Sequence, residues 1–215
     1  MQLILVRHGQ TAWNAESRAQ GHTDIELDER GRLQALRLGE RFGGHPPIRV
    51  VSSDLSRSLA TAEPPARAMG VSVEADARLR ERGFGDWEGL SFHELQSRKL
   101  EIASREGIPL EAVVPPNGES ILMVWERLAP VAQELVAEGR DTLVVTHGGS
   151  CALLLSHLIL GDWHTARAFR FGNASVTELA RRPGGGLVIT SYNDMAHLGD
   201  VGALAGDLGG SHRPT

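Results

Sequence analysis

The order of short and long apolar segments is what most constrains the fold of this chain. Short runs of aliphatic and β-branched residues predict strands, and the longer stretches between the early ones have helical spacing. Parallel strands need long crossovers, usually helices, so this alternation predicts a mainly parallel sheet covered by helices on both faces, in the α/β class. The predicted strands are residues 2–6, 49–52, 71–74 and 143–146, with a late pair at 176–180 and 187–191.

The first long helix is predicted from its capping residue and its apolar spacing. Asp28 is the expected N-cap, because its side-chain oxygen can accept from a free N–H of the first turn. The helix is predicted over residues 29–42. Its apolar side is expected to carry Leu33, Ala35 and Leu36 toward the core.

Prolines and glycines mark the other helices. The helix that begins near Leu55 contains Pro64 and Pro65, which should kink or break it because proline lacks the N–H that a helix needs. Residues 101–116 are expected to be irregular. The remaining predicted helices are one capped by Ser91 that reaches Arg98, one opened by residues 117–120 that reaches Gly139, and one that runs from Gly148 to near Gly161.

Length and composition indicate one soluble domain. The 215 residues, with 41% hydrophobic and 23% charged content, suit a single globular domain with a sizeable core. We expect that domain to span residues 1–198 and the glycine-rich residues 199–215 to be a disordered tail. The net charge of -5 argues against a nucleic-acid partner, because general nucleic-acid binders are usually basic.

The single cysteine and the N-terminus bear on where the chain works. Cys151 alone cannot form an intrachain disulfide or a cysteine-based zinc site, and its apolar neighbours predict a packing role. The N-terminus lacks the basic and apolar regions typical of a signal peptide, and no apolar run is long enough to cross a bilayer. We therefore expect a reduced, cytoplasmic protein with no membrane partner; a homodimer is compatible with this.

Basic side chains follow three of the predicted strands. Arg7 and His8 come directly after the first strand, Arg57 lies a few residues beyond the second, and His147 and Gly148 follow the fourth. Ligands of open α/β sheets bind beyond the carboxyl ends of the strands. We therefore expect these side chains to meet at one edge of the sheet.

A phosphoryl group fits this set of side chains. The planar guanidinium groups of Arg7 and Arg57 match phosphate oxygens, and the helix that opens after His147 can offer N–H groups and a positive dipole end. Neutral imidazole is a nucleophile toward phosphorus, and nearby cations should keep the pKa of His8 low. Glu81 could protonate the leaving oxygen and then activate water.

Four motifs carry a family resemblance: Arg7-His8-Gly9, Arg57 in SSDLSRSLATAE, Glu81 in LRERGFGDWEG, and His147 in TLVVTHGG. In this order they resemble the histidine phosphatase superfamily, also called the phosphoglycerate-mutase-like family, over residues 5–198. The resemblance implies a three-layer αβα sandwich with a mainly parallel central sheet. It implies His8 as the phosphorylated nucleophile and Glu81 as the proton donor, with no metal and no cofactor.

The resemblance also implies a binding pocket for a small phosphorylated metabolite. Its phosphate-binding residues would be Arg7, Arg57, His147, Gly148, Asn14 and Thr11. Gln20 and Gly21 match a segment near the substrate in the family. These assignments are expectations that the arrangement of the folded chain can support or weaken.

Several residues have alternative interpretations. His8, His147 and Glu81 could form a two-histidine, one-carboxylate metal site, although the fixed positive charge of Arg7 would repel a divalent ion. Glu88 competes with Glu81 as the acid. Two sets of residues could instead serve only as helix caps or starts: Thr11 with Asn14, and Asn117 to Ser120. Trp13 is interpreted as core, whereas Phe84 and Trp163 could equally be core or line the leaving-group pocket.

The residues after Glu81 favour a phosphatase over a mutase. Mutases of the family usually follow the catalytic glutamate with Arg-His-Tyr-Gly and carry a paired arginine farther on. This chain has Arg82-Gly83-Phe84-Gly85 there and no Arg-Arg pair before Pro115. We therefore predict a phosphatase acting on small phosphomonoesters. A cofactor-dependent phosphoglycerate mutase and a non-catalytic phospholigand-binding protein remain the alternatives.

Overall fold

A six-stranded sheet forms the centre of the protein, in a computed structural model that describes residues 1–201. The strands are β1 (Gln2–Arg7), β2 (Arg49–Ser52), β3 (Val73–Ala75), β4 (Thr142–Thr146), β5 (Val176–Arg181) and β6 (Leu187–Asp194). They lie in the order β3-β2-β4-β1-β5-β6. The pairs among the first four strands are parallel, and those of β1 with β5 and of β5 with β6 are antiparallel. The mainly parallel sheet is therefore confirmed.

Helices cover both faces of this sheet. The α-helices are α1 (Ala12–Ala15), α2 (Glu29–Arg41), α3 (Ser56–Met69), α4 (Phe92–Glu106), α5 (Ile121–Glu138) and α6 (Gly148–Ile159). Alternate residues of β1 face opposite sides, as in any strand. Leu3 and Leu5 pack with side chains of α5 and α6, whereas Ile4 and Val6 pack with side chains of α2 and α3. The α/β fold has three layers, as the resemblance implied.

Short 3₁₀ helices connect the main elements. They are Ala77–Leu79, Gly85–Trp87, Leu110–Ala112, Trp163–Ala168 and Ala196–Val201. The last one includes the first residues of the predicted tail, and residues 202–215 of that tail lie outside the described residues. No helix within residues 1–201 combines the length and apolar character needed to span a membrane.

The parallel pairing brings three strand ends to the same edge of the sheet. Both β1 and β2 pair with β4. The hydrogen-bond ladders extend one residue past the strands: the His8 N–H donates to the Thr146 carbonyl at 2.8 Å, and the Ser53 N–H donates to the Val145 carbonyl at 2.9 Å. His147, which follows β4, therefore lies between the residues that follow β1 and β2.

The predicted apolar side of α2 is wrong at two positions. Leu33 is 46% exposed and Leu36 is 55% exposed, although Ala35 is buried. The buried face is instead centred on Gly31, Ala35 and Leu38, which recur at helical spacing. The prediction chose the buried face by its apolar side chains alone. Gly31 has no side chain, but it lies on the buried face and lets α2 approach its neighbours closely. The predicted N-cap is confirmed, since Asp28 accepts the Gly31 N–H at 2.7 Å.

Two other helices continue beyond the predicted limits. Helix α3 runs through Pro64 and Pro65 without a break. Pro65 is buried there, and Pro64 packs against Gly39 of α2, so tertiary packing outweighs the lost hydrogen bonds. Helix α4 extends to Glu106 and ends where Gly107 adopts a left-handed conformation, with φ of 64°. The prediction of an irregular segment from residue 101 missed this glycine stop signal.

Cys151 lies in the core of the protein. The side chain is fully buried in the cluster that joins β1 and β4 to α5 and α6. Burial raises the pKa of the Cys151 thiol, so the reactive thiolate is disfavoured. The predicted packing role agrees with this environment.

Candidate active site

His8 lies at the end of β1 with only 3% of its surface exposed. Its Nδ1 is 2.6 Å from the Gly9 carbonyl, so Nδ1 carries the ring proton and Nε2 keeps its lone pair. Burial, together with the charges of Arg57 and Arg7, lowers the pKa of His8 well below 6.5. The low pKa was predicted from the cations, but burial is the larger cause. The imidazole is therefore neutral and able to act as a nucleophile near neutral pH.

His147 lies beside His8, with 5.1 Å between the ring centroids. Its Nε2 is 2.9 Å from the hydroxyl of Ser53, and that hydroxyl also accepts the Leu55 N–H at 3.4 Å. The Ser58 hydroxyl lies 3.4 Å from the same Nε2. When a serine hydroxyl donates to Nε2, the His147 proton lies on Nδ1. This Nδ1 is buried without a hydrogen-bond partner in residues 1–201, so in that tautomer it is a donor without an acceptor.

Arg57 on α3 is fully buried. Its Nη1 and Nη2 donate to the carbonyls of Thr23 at 3.0 Å and Gly21 at 2.8 Å. Its Nε is buried, and no acceptor for it exists in the part of the chain that the structure describes. Burial lowers the pKa of Arg57 to about 10, against the opposing charges of Glu81 and Asp24, so the guanidinium remains charged at neutral pH.

Arg7 extends from the end of β1 toward the start of α6. Its Nη1 donates to the carbonyl of Phe171 at 2.6 Å. Gly148 lies next to the guanidinium, since a Cβ there would be 3.5 Å from the Arg7 Nε, an ordinary van der Waals distance. Both residues line the same cavity as His8. A second cation therefore lies next to the imidazole, as the strand-end pattern indicated.

Glu81 is held against the N-terminus of α6. Its Oε2 accepts the N–H of Gly149 at 2.9 Å, and its Oε1 accepts the N–H of Arg82 at 3.0 Å. A Cβ at position 149 would lie 2.6 Å from Oε1, so only glycine permits this approach. The Gly149 N–H thus binds the Glu81 carboxylate, and a contact of a phosphate with Gly148 at the same helix N-terminus stays a prediction.

Glu88 is placed differently from Glu81. Its Oε1 accepts the N–H groups of His22 at 2.8 Å and Phe84 at 3.0 Å. Its Oε2 accepts the N–H of Thr23 at 2.8 Å and also the Thr23 hydroxyl. Glu88 is not among the described residues that line the cavity. It joins the segment after Gln20 to the segment after Glu81, and this position outside the cavity lining weakens its candidacy as the acid.

Asn14 and Thr11 form a capping box at α1. The Asn14 N–H donates to the Thr11 hydroxyl at 3.2 Å, and the Asn14 Oδ1 accepts the Thr11 N–H at 3.1 Å. Asn173 donates to the same Oδ1 at 3.1 Å and to the His8 carbonyl at 3.0 Å. Asn14 lines the cavity, but Thr11 is fully buried and is absent from the described lining. The capping interpretation therefore holds for both residues, and only Asn14 can reach a ligand.

The cavity has a volume of about 370 Å³, and its lining includes Arg7, His8, Asn14, Arg57, Glu81 and His147. Gln20 and Gly21 also line it, and the buried Oε1 of Gln20 has no partner in residues 1–201. Four further arginines lie around the wall: Arg18, Arg82, Arg167 and Arg170. Glu81 is the only carboxylate residue in the lining that the structure describes. The cavity is therefore strongly positive and suits an anion.

Aromatic side chains form much of the cavity wall. They are Phe84, Phe92, Trp163, Phe169 and Phe171. Phe84 and Trp163, left open by the sequence, thus line the cavity. Trp13 is absent from the described lining and lies close to Gly89.

The alternative of a metal site has no matching geometry. Within residues 1–201, no three histidine, cysteine, aspartate or glutamate side chains come together in a group that could hold a metal ion. His8, His147 and Glu81 share the cavity without forming such a group. Their neighbours are instead arginines and backbone N–H groups.

Two residues that orient the site were not predicted from the sequence. Ser53, which follows β2, contacts His147 Nε2, and Asn173 ties Asn14 to the His8 backbone. The position of Ser53 after a strand was a usable signal. Asn173 precedes Ala174, whose φ of 55° is uncommon for a non-glycine residue, and no local pattern indicated its contacts with residues far earlier in the chain.

Comparisons with known proteins agree with this arrangement. A profile of the histidine phosphatase superfamily (branch 1) matches residues 3–195. A glucosyl-3-phosphoglycerate phosphatase from Mycobacterium tuberculosis is 37% identical over 193 residues, which cover 83% of this chain and 84% of that protein. A probable phosphoglycerate mutase GpmB from Erwinia tasmaniensis is 33% identical over 212 residues, covering 94% and 96% respectively.

A solved structure gives the same result. Mycobacterial glucosyl-3-phosphoglycerate phosphatase in complex with VO3 matches with a TM-score of 0.76 at 35% identity, covering 89% of this chain and 98% of that one. The family profile spans nearly the whole chain, and it includes every residue of the candidate site. The chain belongs to the histidine phosphatase superfamily.

Proposed function

We propose that the protein hydrolyses small phosphomonoesters through a phosphohistidine formed on His8. The observation that carries this proposal is the placement of a neutral, buried His8 beside two buried nitrogens without partners in residues 1–201, Arg57 Nε and His147 Nδ1. A phosphoryl oxygen would accept from Arg57 Nε and from His147 in its Nδ1-protonated tautomer. Glu81 lines the same cavity, where it can supply and later remove a proton.

In the first step, the phosphoryl group is held by Arg7, Arg57 and His147. The His8 Nε2 lone pair forms a bond to phosphorus, and the bond from phosphorus to the leaving oxygen breaks. Glu81 gives its proton to that oxygen, so the product leaves as a neutral alcohol. Donors that are already oriented need no rearrangement as charge shifts during the transfer.

In the second step, water replaces the alcohol. Glu81 removes a proton from the water, whose oxygen then bonds to phosphorus while the bond from phosphorus to His8 Nε2 breaks. Inorganic phosphate leaves, and both residues return to their starting states. No metal or cofactor takes part in this proposed sequence.

The outer cavity supports a leaving group that is itself anionic. Arg167 and Arg170, which are exposed, line this region, while Glu81 is the only acidic residue in the described lining. The name of the mycobacterial relative, a glucosyl-3-phosphoglycerate phosphatase, agrees with a substrate of this kind. We therefore place phosphorylated hydroxy acids and their conjugates first among substrates. The cytoplasmic location and the homodimer stay predictions.

A mutase is the second candidate, because a probable phosphoglycerate mutase is similar over 94% of this chain. The two activities differ in the acceptor of the phosphoryl group. Release of inorganic phosphate from p-nitrophenyl phosphate and 3-phosphoglycerate should be measured in EDTA, together with conversion of 3-phosphoglycerate in the presence of its bisphosphate cofactor. We expect phosphate release to dominate. Conversion without release would establish the mutase instead.

The nucleophile is tested by trapping the intermediate. Wild-type protein quenched during turnover should carry acid-labile phosphate, and His8→Ala should carry none and release no phosphate. Binding of inorganic phosphate to folded wild-type protein without any turnover would favour the non-catalytic alternative. Full activity of His8→Ala would refute the mechanism.

A further inference from the structure

The segment that carries Glu81 has no regular secondary structure of its own. Residues 80–84 lie between the 3₁₀ helices Ala77–Leu79 and Gly85–Trp87. Their backbone groups therefore need partners outside the segment. A proton donor is effective only if it is held within hydrogen-bond reach of the leaving oxygen. The groups that hold this segment therefore determine where Glu81 lies.

Arg127 on α5 binds one side of this segment. Its Nη1 donates to the carbonyls of Arg78 at 2.6 Å and Arg80 at 3.0 Å. Its Nη2 donates to the carbonyl of Glu81 at 3.3 Å. One rigid guanidinium thus binds three carbonyls in the segment that leads to Glu81. The flexible ammonium group of a lysine could not hold all three in the same way.

Glu119 binds the other side. Its carboxylate accepts the N–H of Gly83 at 2.8 Å and also pairs with Arg127 through two hydrogen bonds of 3.1 and 3.0 Å. Its own N–H donates to the Gly83 carbonyl at 2.8 Å, and its carbonyl accepts from Arg82 Nε at 2.7 Å. Burial would raise the pKa of Glu119, but hydrogen bonds from His22, Arg127 and Gly83 lower it to about 2.

His22 links this pair to the phosphate end of the cavity. Its Nε2 lies 2.9 Å from the Glu81 carbonyl and 3.5 Å from Glu119 Oε2. The preceding residue, Gly21, accepts from Arg57 through its carbonyl. His22, Glu119 and Arg127 are absent from the described lining of the cavity, so they do not contact a substrate there.

We propose that Glu119 and Arg127 are positioning residues that act on the reaction through Glu81, an inference that rests on the proposed role of Glu81 as the acid. Together they fix the backbone on both sides of the carboxylate, while the contact with Gly149 fixes its side chain. A displacement of about 1 Å in a reacting group can cost about 10²-fold in rate. The pair therefore controls proton transfer without touching the substrate.

Glu119→Gln tests this inference, because glutamine keeps the shape but removes the charge. We expect kcat/KM for alkyl phosphates, which reports on the steps up to loss of the protonated alcohol, to fall by roughly 10-fold or more. The loss of kcat/KM for p-nitrophenyl phosphate should be much smaller, since that leaving group needs little help. Inhibition by inorganic phosphate should change little because the phosphate-binding residues are untouched.

Glu134→Gln is the matched control. Glu134 also lies on α5 and pairs with Arg78 at 2.7 Å, but its side chain is half exposed and, in the described part of the chain, forms no hydrogen bond or ion pair with residues 80–84. Both substrates should be turned over at the wild-type rate. Urea denaturation would establish that each variant is folded. If Glu119→Gln does not fold, Arg127→Lys decides the question, because it should show the same dependence on the leaving group.

Comparison with Glu81→Gln separates this inference from the proposed function. If Glu81→Gln itself lacks the dependence on the leaving group, the role of Glu81 fails. If Glu81→Gln has it and the folded Glu119 and Arg127 variants do not, only the positioning inference is overturned. In the double variant Glu81→Gln with Glu119→Gln, the loss should be close to that of Glu81→Gln alone. Full multiplication of the two losses would also overturn the inference.

Discussion

The inner and outer ends of the cavity are built in different ways. At the inner end, His8, Arg57 and His147 are almost completely buried, and each is fixed by hydrogen bonds to the backbone or to a serine. At the outer end, Arg167 and Arg170 are exposed and lie among aromatic side chains. The inner end thus favours one fixed geometry for a phosphoryl group, whereas the outer end can adapt to the rest of a substrate.

The largest effect is expected from Arg57→Lys at the inner end. Lysine keeps the charge but cannot hold two carbonyls and present Nε at the same time. Removal of one oriented donor costs about 10²–10³-fold in kcat in other enzymes, and we expect a loss of that order. Steady-state kinetics on p-nitrophenyl phosphate would measure it, and urea denaturation would show whether the variant is folded. Wild-type kcat in Arg57→Lys would contradict the rigid inner end.

The pH profile tests the same end without a substitution. Protonation of His8 would remove the nucleophile, and its pKa lies well below 6.5. Activity should therefore persist as the pH falls through 6.5, and the loss due to His8 should occur only at lower pH. The value of kcat/KM between pH 4 and 8 reports on the free enzyme. A loss centred at the ordinary histidine value would mean that His8 is not desolvated as described.

A smaller effect is expected at the outer end. Arg167→Gln should raise KM for anionic substrates such as 3-phosphoglycerate by about 2- to 5-fold, because exposed charge pairs contribute little. KM for p-nitrophenyl phosphate should stay unchanged. Arg105→Gln on α4 is the control, since Arg105 is exposed and lies outside the described lining. An equal rise for both substrates would mean that Arg167 does not distinguish leaving groups.

The smallest effect concerns stability. The hydrogen bond to Glu119 raises the pKa of His22 above 6.5. The contribution of this pair to the free energy of unfolding is therefore complete below pH 6.5 and is lost as the pH rises through the raised pKa. We expect His22→Asn to destabilise the protein by less than about 1 kcal/mol, because the pair is partly exposed. The difference in urea midpoint from wild type should be larger at pH 5.5 than at pH 9. The reverse order would contradict the His22 to Glu119 contact.

Much of the fold and part of the site could be predicted because they depend on local pattern. The alternation of strands and helices is sufficient to predict a mainly parallel sheet, although it does not give the strand order. Because ligands bind beyond the carboxyl ends of such strands, the sequence also predicted that Arg7, His8 and His147 lie together. The wrong predictions have a common cause, which is packing between elements that are far apart in the sequence. Leu33 is exposed although it is apolar, and α3 continues through Pro64, because contacts with other elements outweighed the local preference.

The sequence by itself determined which side chains are available at the edge of the sheet. The position of that edge depends on the direction of each strand and on its pairing with its neighbours. Both depend on short segments of the sequence. Only the tertiary structure showed that Glu81 and Asn14 line the cavity whereas Glu88 and Thr11 are absent from its described lining. It also placed Glu119 and Arg127 around Glu81. These choices depend on hydrogen bonds between residues far apart in the chain, whose positions are fixed only after the helices have packed on the sheet.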